Sequence, residues 1–184
     1  MDTLSQYNTE LDLCRTIFLR KTADYGTAWR VLRTISLTDQ IYIKAWRIRT
    51  LQQKKVQMVA DDIPAEFRGI VNYAIIGLIQ LELPGEEPEE IPAEQVAELY
   101  NKQAGTARKL MQEKNHDYGE AWRNMSEEAL TDLILMKLLR IRQILENDGK
   151  TLMSEGIDAN YHDIINYALF ALILHSEQTA PSPV

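Results

Sequence analysis

The chain repeats itself. Slid against itself by 93 positions, the sequence brings residues 21–51 onto residues 114–144 with fifteen of thirty-one identities and no gap. Unrelated chains of average composition would share about two. One further residue of offset aligns Ile70, Asn72, Tyr73, Ala74, Leu78 and Ile79 with Ile164, Asn166, Tyr167, Ala168, Leu172 and Ile173. A duplication this extensive restricts the fold to two copies of one unit, because whatever the first copy adopts the second must adopt as well.

Each copy reads as three main helices, so the expected class is all-α: two tandem helical-bundle repeats packed as an internal pseudo-dimer. The leading helix is predicted over residues 4–23, where Leu4, Tyr7, Leu11, Cys14, Ile17 and Phe18 recur close to the helical period. Its counterpart runs over residues 93–116, directly after Pro92. Gly26 and Gly119 follow Asp-Tyr in both copies and suit the left-handed residue that closes a helix, after which Ala-Trp-Arg opens a short segment. A second long helix is predicted from Ser36, with Ser36-Leu37-Thr38-Asp39 as a capping box, and from Ser126 to Asn147. The third covers residues 64–81 and 158–175, and no run of alternating residues demands a strand. The repeats are therefore placed at 1–82 and 93–178. Three prolines and a run of acids mark 83–92 as the linker, and 179–184 is expected to be a disordered tail. Each unit has an apolar face too wide to bury alone, which calls for packing around a pseudo-twofold axis.

A formal net charge of −7 argues against non-specific binding to nucleic acid or to an anionic membrane. The single cysteine, Cys14, excludes an intrachain disulfide and a paired-cysteine metal site. The first residues have neither the basic nor the apolar region of a signal peptide, and the longest apolar stretch, residues 167–174, is too short for a bilayer. A cytoplasmic setting is expected.

Ten polar residues occur in both copies: Arg15/Arg108, Lys21/Lys114, Asp24/Asp117, Arg30/Arg123, Thr38/Thr131, Asp39/Asp132, Lys44/Lys137, Arg47/Arg140, Arg49/Arg142 and Asn72/Asn166. Exposed residues drift after a duplication, so this retention points beyond solubility. Lys44 and Lys137 each interrupt an otherwise apolar helical stripe, Leu37-Ile41-Lys44-Ile48-Leu51 and Leu130-Ile134-Lys137-Ile141-Ile144. An ammonium there must reach water or meet a carboxylate or ligand. Asp24 and Asp117 are the expected partners. A cluster of Lys44, Arg47 and Arg30 would suit phosphate groups. The candidate ligand-binding set is thus Lys21, Asp24, Tyr25, Arg30, Lys44 and Arg47 with Lys114, Asp117, Tyr118, Arg123, Lys137 and Arg140. Gly26, Trp29, Asn72 and their partners Gly119, Trp122, Asn166 are assigned to the fold, and Trp46 to packing. His116, His162 and His175 fit no zinc spacing, and no metal site is assigned. Asp163 is the candidate catalytic residue. Its aligned partner is Gly69, and Glu155 and Asp158 align with Asp61 and Pro64, so any metal-dependent activity is expected in the second copy.

The paired Asp-Tyr-Gly-x-Ala-Trp-Arg motif, the Asp-x(4)-Lys-x-x-Arg-Ile-Arg helix and the closing Asp-Ile-Ile-Asn-Tyr-Ala resemble the nucleotide-modification-associated domain family over most of residues 10–81 and 103–175. That resemblance implies a link to nucleotide metabolism or modification, with a nucleotide or other phosphate-bearing small molecule as partner. A more distant similarity is to MazG-like all-α nucleoside triphosphate pyrophosphatases, which hold magnesium with paired acidic motifs. The acids are incomplete here, at Thr131 and Asn160. Three readings stand: a nucleotide binder or processor, a magnesium-dependent pyrophosphatase, and a helical bundle whose motif serves only structure or interaction. Further self-association of the pseudo-dimer is open to all three.

Overall fold

The protein is seen here in a computed structural model that describes residues 2–54, 56, 58, 62–83, 90–153 and 155–179. Six long helices form it: α1 (Thr3–Tyr25), α2 (Thr34–Lys54), α3 (Ile63–Glu82), α4 (Ala93–Tyr118), α5 (Glu127–Glu146) and α6 (Ile157–Thr179). Two 3-10 turns, Ala28–Val31 and Ala121–Asn124, carry the Ala-Trp-Arg segments, and there is no strand among the described residues. The all-α expectation and the three helices per repeat hold.

Local chemistry sets the ends. Asp2 and Asp62 accept the backbone N–H of Ser5 and Ala65 at 2.7 and 2.8 Å, capping α1 and α3. Ser126 caps α5 by accepting from Ala129 at 3.1 Å. Gly26 and Gly119 take φ of 59° and 58°, and their N–H groups close α1 on Thr22 and α4 on Asn115. The capping box expected at Ser36 does not form, because α2 already starts at Thr34, the position aligned with the first residue of α5. The Thr38 hydroxyl instead donates back to the Thr34 carbonyl inside the helix, at 2.8 Å.

α3 and α6 are apolar over most of their circumference and form the centre, packed on each other and each on the second helix of its own repeat. α2 and α5 also pack together, while α1 and α4 lie over α3 and α6 of both repeats. Gly77 allows the central crossing. A β-carbon there would stand 2.6 Å from the Tyr161 ring. Gly77→Ala should therefore cost about 1–3 kcal/mol by overpacking. Gly105→Ala in α4, where a β-carbon meets nothing within 4 Å, should stabilise by about 0.5–1 kcal/mol. Thermal melts of the two variants moving in opposite directions are the expected result.

Much of the retained polar set joins one repeat to the other, in symmetric pairs. Arg142 donates to Asp39 at 2.7 Å, and Arg49 stands 3.4 Å from Asp132. Arg15 donates to Asn101 at 2.7 Å and Arg108 to Asn8 at 3.3 Å. In the core, Tyr7 donates to Asn166 at 2.8 Å and Tyr100 to Asn72 at 2.9 Å, while the two amides donate to the carbonyls of Ala107 and Cys14. Burial raises both tyrosine hydroxyls far above their usual range and the Cys14 thiol to about 12, so these groups stay protonated.

One residue of the predicted linker is anchored. Ile91 is buried and donates its N–H to the Thr27 hydroxyl at 2.9 Å. Residues 84–89 and 180–184, which carry most of the predicted linker and tail, lie outside the described residues, as does Asp61. Thr179, assigned to the tail, is the last residue of α6. Trp46, assigned to packing, is half exposed and stacks on Tyr42 with centroids 5.8 Å apart.

Candidate functional site

Both stripe lysines meet carboxylates, but not the expected ones. Lys44 donates to Glu66 at 3.1 Å, and Arg47 reaches the other oxygen of Glu66 at 2.5 Å. In the second repeat Lys137 and Lys114 each donate to one oxygen of Asp163, both at 2.6 Å. Asp24 and Asp117 are instead exposed at the ends of α1 and α4, where Asp117 pairs with the neighbouring His116 at 3.0 Å. The third helix of each repeat packs directly on the helix that carries the lysine and supplies the partner instead.

The two carboxylates are not aligned with each other. Glu66 aligns with Asn160, and Gly69 with Asp163. The positions are three residues apart, so they share one face of the helix about a turn from each other. Each repeat therefore keeps a single acid facing its lysine, at a different level. Arg140, aligned with Arg47, faces no such acid: it is exposed, with no ion-pair partner among the described residues. The Asn160 amide donates to the Gly156 carbonyl instead.

Electrostatics follow from this geometry. Burial alone would raise the Asp163 carboxyl, yet the hydrogen bonds and charges of Lys114 and Lys137 outweigh it and hold the group below the ordinary carboxylate range. For Lys114, burial lowers while the Asp163 hydrogen bond and charge raise, and the net shift is upward. Burial pushes the neighbouring His162 down.

The level shift opens a cleft in the first repeat. Its volume is about 440 Å³, within the size range of small-molecule sites. The C-terminal half of α1 forms one wall and the first half of α3 the other, with Ala28 and Trp29 of the 3-10 turn at one end. Lys21, Lys44 and Arg68 supply positive charge, Glu66 is the lining carboxylate and buried Glu10 pairs with Arg68 at 3.3 Å, while Tyr25, Trp29 and Tyr73 supply flat surfaces. At the matching places in the second repeat stand larger side chains, Asp163 for Gly69 and Phe170 for Ile76. The Phe170 ring stacks on buried Trp122 at 4.2 Å, nearly parallel.

The candidate set is thus divided. Lys21, Tyr25, Gly26, Trp29, Lys44 and Asn72 line the cleft, and Arg47 stands behind it on Glu66. Arg30 is not brought to Lys44 and Arg47: its guanidinium is bound to Gln80, near the far end of α3. Arg123 is committed to the Thr3 and Gln6 side chains of the other repeat and to Glu120 and Glu177, and it lies over the Trp122 ring at 4.6 Å. Tyr118 is exposed. Sequence reasoning missed Glu66, Arg68 and the Tyr7/Tyr100 pair. The tyrosines were detectable, since they align at the same offset as the motif. Glu66 and Arg68 carried no such signal, because their aligned partners, Asn160 and His162, differ.

Asp163, the candidate catalytic group, is one-tenth exposed with both oxygens taken by lysines. Glu155 and Asp158 do not join it in a metal-holding group: among the described residues no three His, Cys, Asp or Glu side chains converge. Nor is any helix among them long and apolar enough to cross a membrane.

Comparison with known proteins agrees with the duplication. No curated protein matches the chain. No solved structure matches it either. The family described as nucleotide modification associated domain 1 matches twice, over residues 21–81 and 114–174, spanning the lysine stripe and the acid-bearing helix of each repeat. With well over half its length matched, the chain belongs to the nucleotide modification associated domain 1 family and carries its domain in two tandem copies.

Proposed function

We propose that the chain binds a nucleotide or another phosphate-bearing small molecule in the first-repeat cleft, in the service of nucleotide metabolism or modification. One observation carries this reading: Lys21, Lys44 and Arg68 line a cleft of about 440 Å³ beside three aromatic rings, and while Arg68 is paired with Glu10 and Lys44 with Glu66, Lys21 has no ion-pair partner among the described residues. Lysine meets phosphate as a point charge and arginine as a planar fork, while aromatic faces take the flat apolar part of a nucleoside. An acidic protein that gathers cations at one concave place selects small anions there without attracting nucleic acid at large. The family's association with nucleotide modification supports the same ligand class.

Isothermal titration of the full chain with nucleoside mono-, di- and triphosphates tests it. Saturable binding with one site per chain is expected, tightening as phosphates are added. Lys21→Gln should weaken binding roughly tenfold, through loss of one charge-assisted hydrogen bond. Lys21 is exposed and has no ion-pair partner among the described residues, so this change leaves the fold alone. Absence of binding across the panel would overturn the reading. Magnesium-dependent release of pyrophosphate in the same samples would move it to the pyrophosphatase class.

A further inference from the structure

We infer that the anionic group of the ligand seats over Gly69, between the ammonium groups of Lys21 and Lys44, where the second repeat holds the carboxylate of its own Asp163. Each chain then has one anion seat, and the second repeat is occupied from within. The inference rests on the cleft being a ligand site and specifies which atoms hold the charged end.

The chain supplies its own comparison. Lys114 and Lys137 each donate to a different oxygen of Asp163 at 2.6 Å, so this pair of lysines can clamp one anion between them. Lys21 and Lys44 are the aligned pair, and both line the cleft. What the first repeat lacks is the anion. A β-carbon on Gly69 would stand 2.9 Å from Lys44 Cε and 3.2 Å from its Nζ. The lysine side chain therefore lies over this glycine with its ammonium beside the place of the missing side chain, and an anion seated there meets that ammonium as the flexible stem moves aside. Glu66 does not replace it. It reaches Lys44 from one turn earlier and shares its charge with Arg47, and no carboxylate among the described residues pairs with Lys21. An incoming anion thus finds one lysine without a partner and another whose partner is already shared. The cleft extends beyond an aspartate's reach, along α3 from Ala65 to Ile76. Phosphoryl or pyrophosphoryl groups, with more oxygens and more charge than a carboxylate, fit that seat.

The test is titration of the 15N-labelled full chain with inorganic pyrophosphate at constant ionic strength, followed through the Gly69 amide. A saturable shift at Gly69 is expected, weakened roughly tenfold in Lys21→Gln and roughly a hundredfold in Gly69→Asp, which installs the second repeat's carboxylate. In Gly69→Asp the new side chain first meets the flexible Lys44 side chain within a regular helix, and the aligned position of α6 holds an aspartate. Lys21→Gln keeps the test decisive should Gly69→Asp melt early. Binding by Gly69→Asp within about threefold of the wild type, or saturable shifts confined to other residues, would overturn the seat. So would the absence of any shift at Gly69. The seat and the wider reading part company cleanly. Pyrophosphate binding as described with no nucleotide binding keeps the seat and removes the nucleotide. Nucleotide binding that ignores both Lys21→Gln and Gly69→Asp removes the seat and keeps the nucleotide.

Discussion

Replacing Asp163 with asparagine is expected to destabilise the protein by about 3 kcal/mol, because breaking a buried ion pair strands the remaining charge. For a chain of this size that is a fall in Tm of roughly 6–12 °C. Lys137 is the reason: at one-tenth exposure it depends on Asp163 for its counter-charge, whereas half-exposed Lys114 can turn to water. The effect should depend on pH. The folded Asp163 carboxyl lies below the ordinary range, since its two lysine hydrogen bonds outweigh burial. A depressed pKa contributes stability that is present above the unfolded value of about 4 and is lost as pH falls through the folded value. The difference between the wild type and Asp163→Asn should be full at neutral pH, begin to shrink below about pH 4 and vanish only below the folded value. Lys114 works in the opposite sense. Its raised pKa contributes below the unfolded value and is lost as pH rises through the folded one. Melting curves across the acid range check the first window, and a difference that stays constant down to pH 3 would remove the charge pair as its source.

The second large effect is expected in the core, at the bond between the repeats. Asn166→Leu removes the acceptor of the buried Tyr7 hydroxyl and the donor to the Ala107 carbonyl. An orphaned buried hydroxyl should cost about 2–3 kcal/mol. Tyr7→Phe on the Asn166→Leu background should then recover about 1 kcal/mol, because removing both polar partners is milder than leaving one unsatisfied. The same cycle at Tyr100 and Asn72 should behave alike, as its bonds are the symmetric copies. Denaturant midpoints of the four proteins in each cycle measure it. Simple addition of the two single-variant losses would show that Asn166 acts through shape alone.

These two sites explain why identity between the copies was a mixed guide to function. Asp39, Arg49, Asn72, Arg108 and their counterparts are retained because a pseudo-twofold interface uses every residue twice, so a change in either copy breaks a contact with the other. Retention marked the interface as readily as it marked Lys21 and Lys44. The acids that answer the lysines moved by one helical turn between repeats, to Glu66 in one and Asp163 in the other. A search for identical columns discards both, although each puts a carboxylate on the stripe lysine of its repeat.

The sequence by itself determined the duplication, the helical class, the three long helices in each copy and most of their ends. Those features rest on local causes: apolar spacing at the helical period, caps such as Asp62 and Ser126, and the positive φ that Gly26 and Gly119 accept. It also showed that Lys44 and Lys137 need a partner, since a cation on an apolar stripe is a local conflict. Which partner is a tertiary matter. It depends on how α3 and α6 lie against α2 and α5, and a difference of one turn in that facing decides everything that follows. In the second repeat it puts Asp163 between two lysines. In the first it leaves Gly69 without a side chain under the Lys44 stem and a cleft beside them, because a space exists only where facing elements fail to fill it.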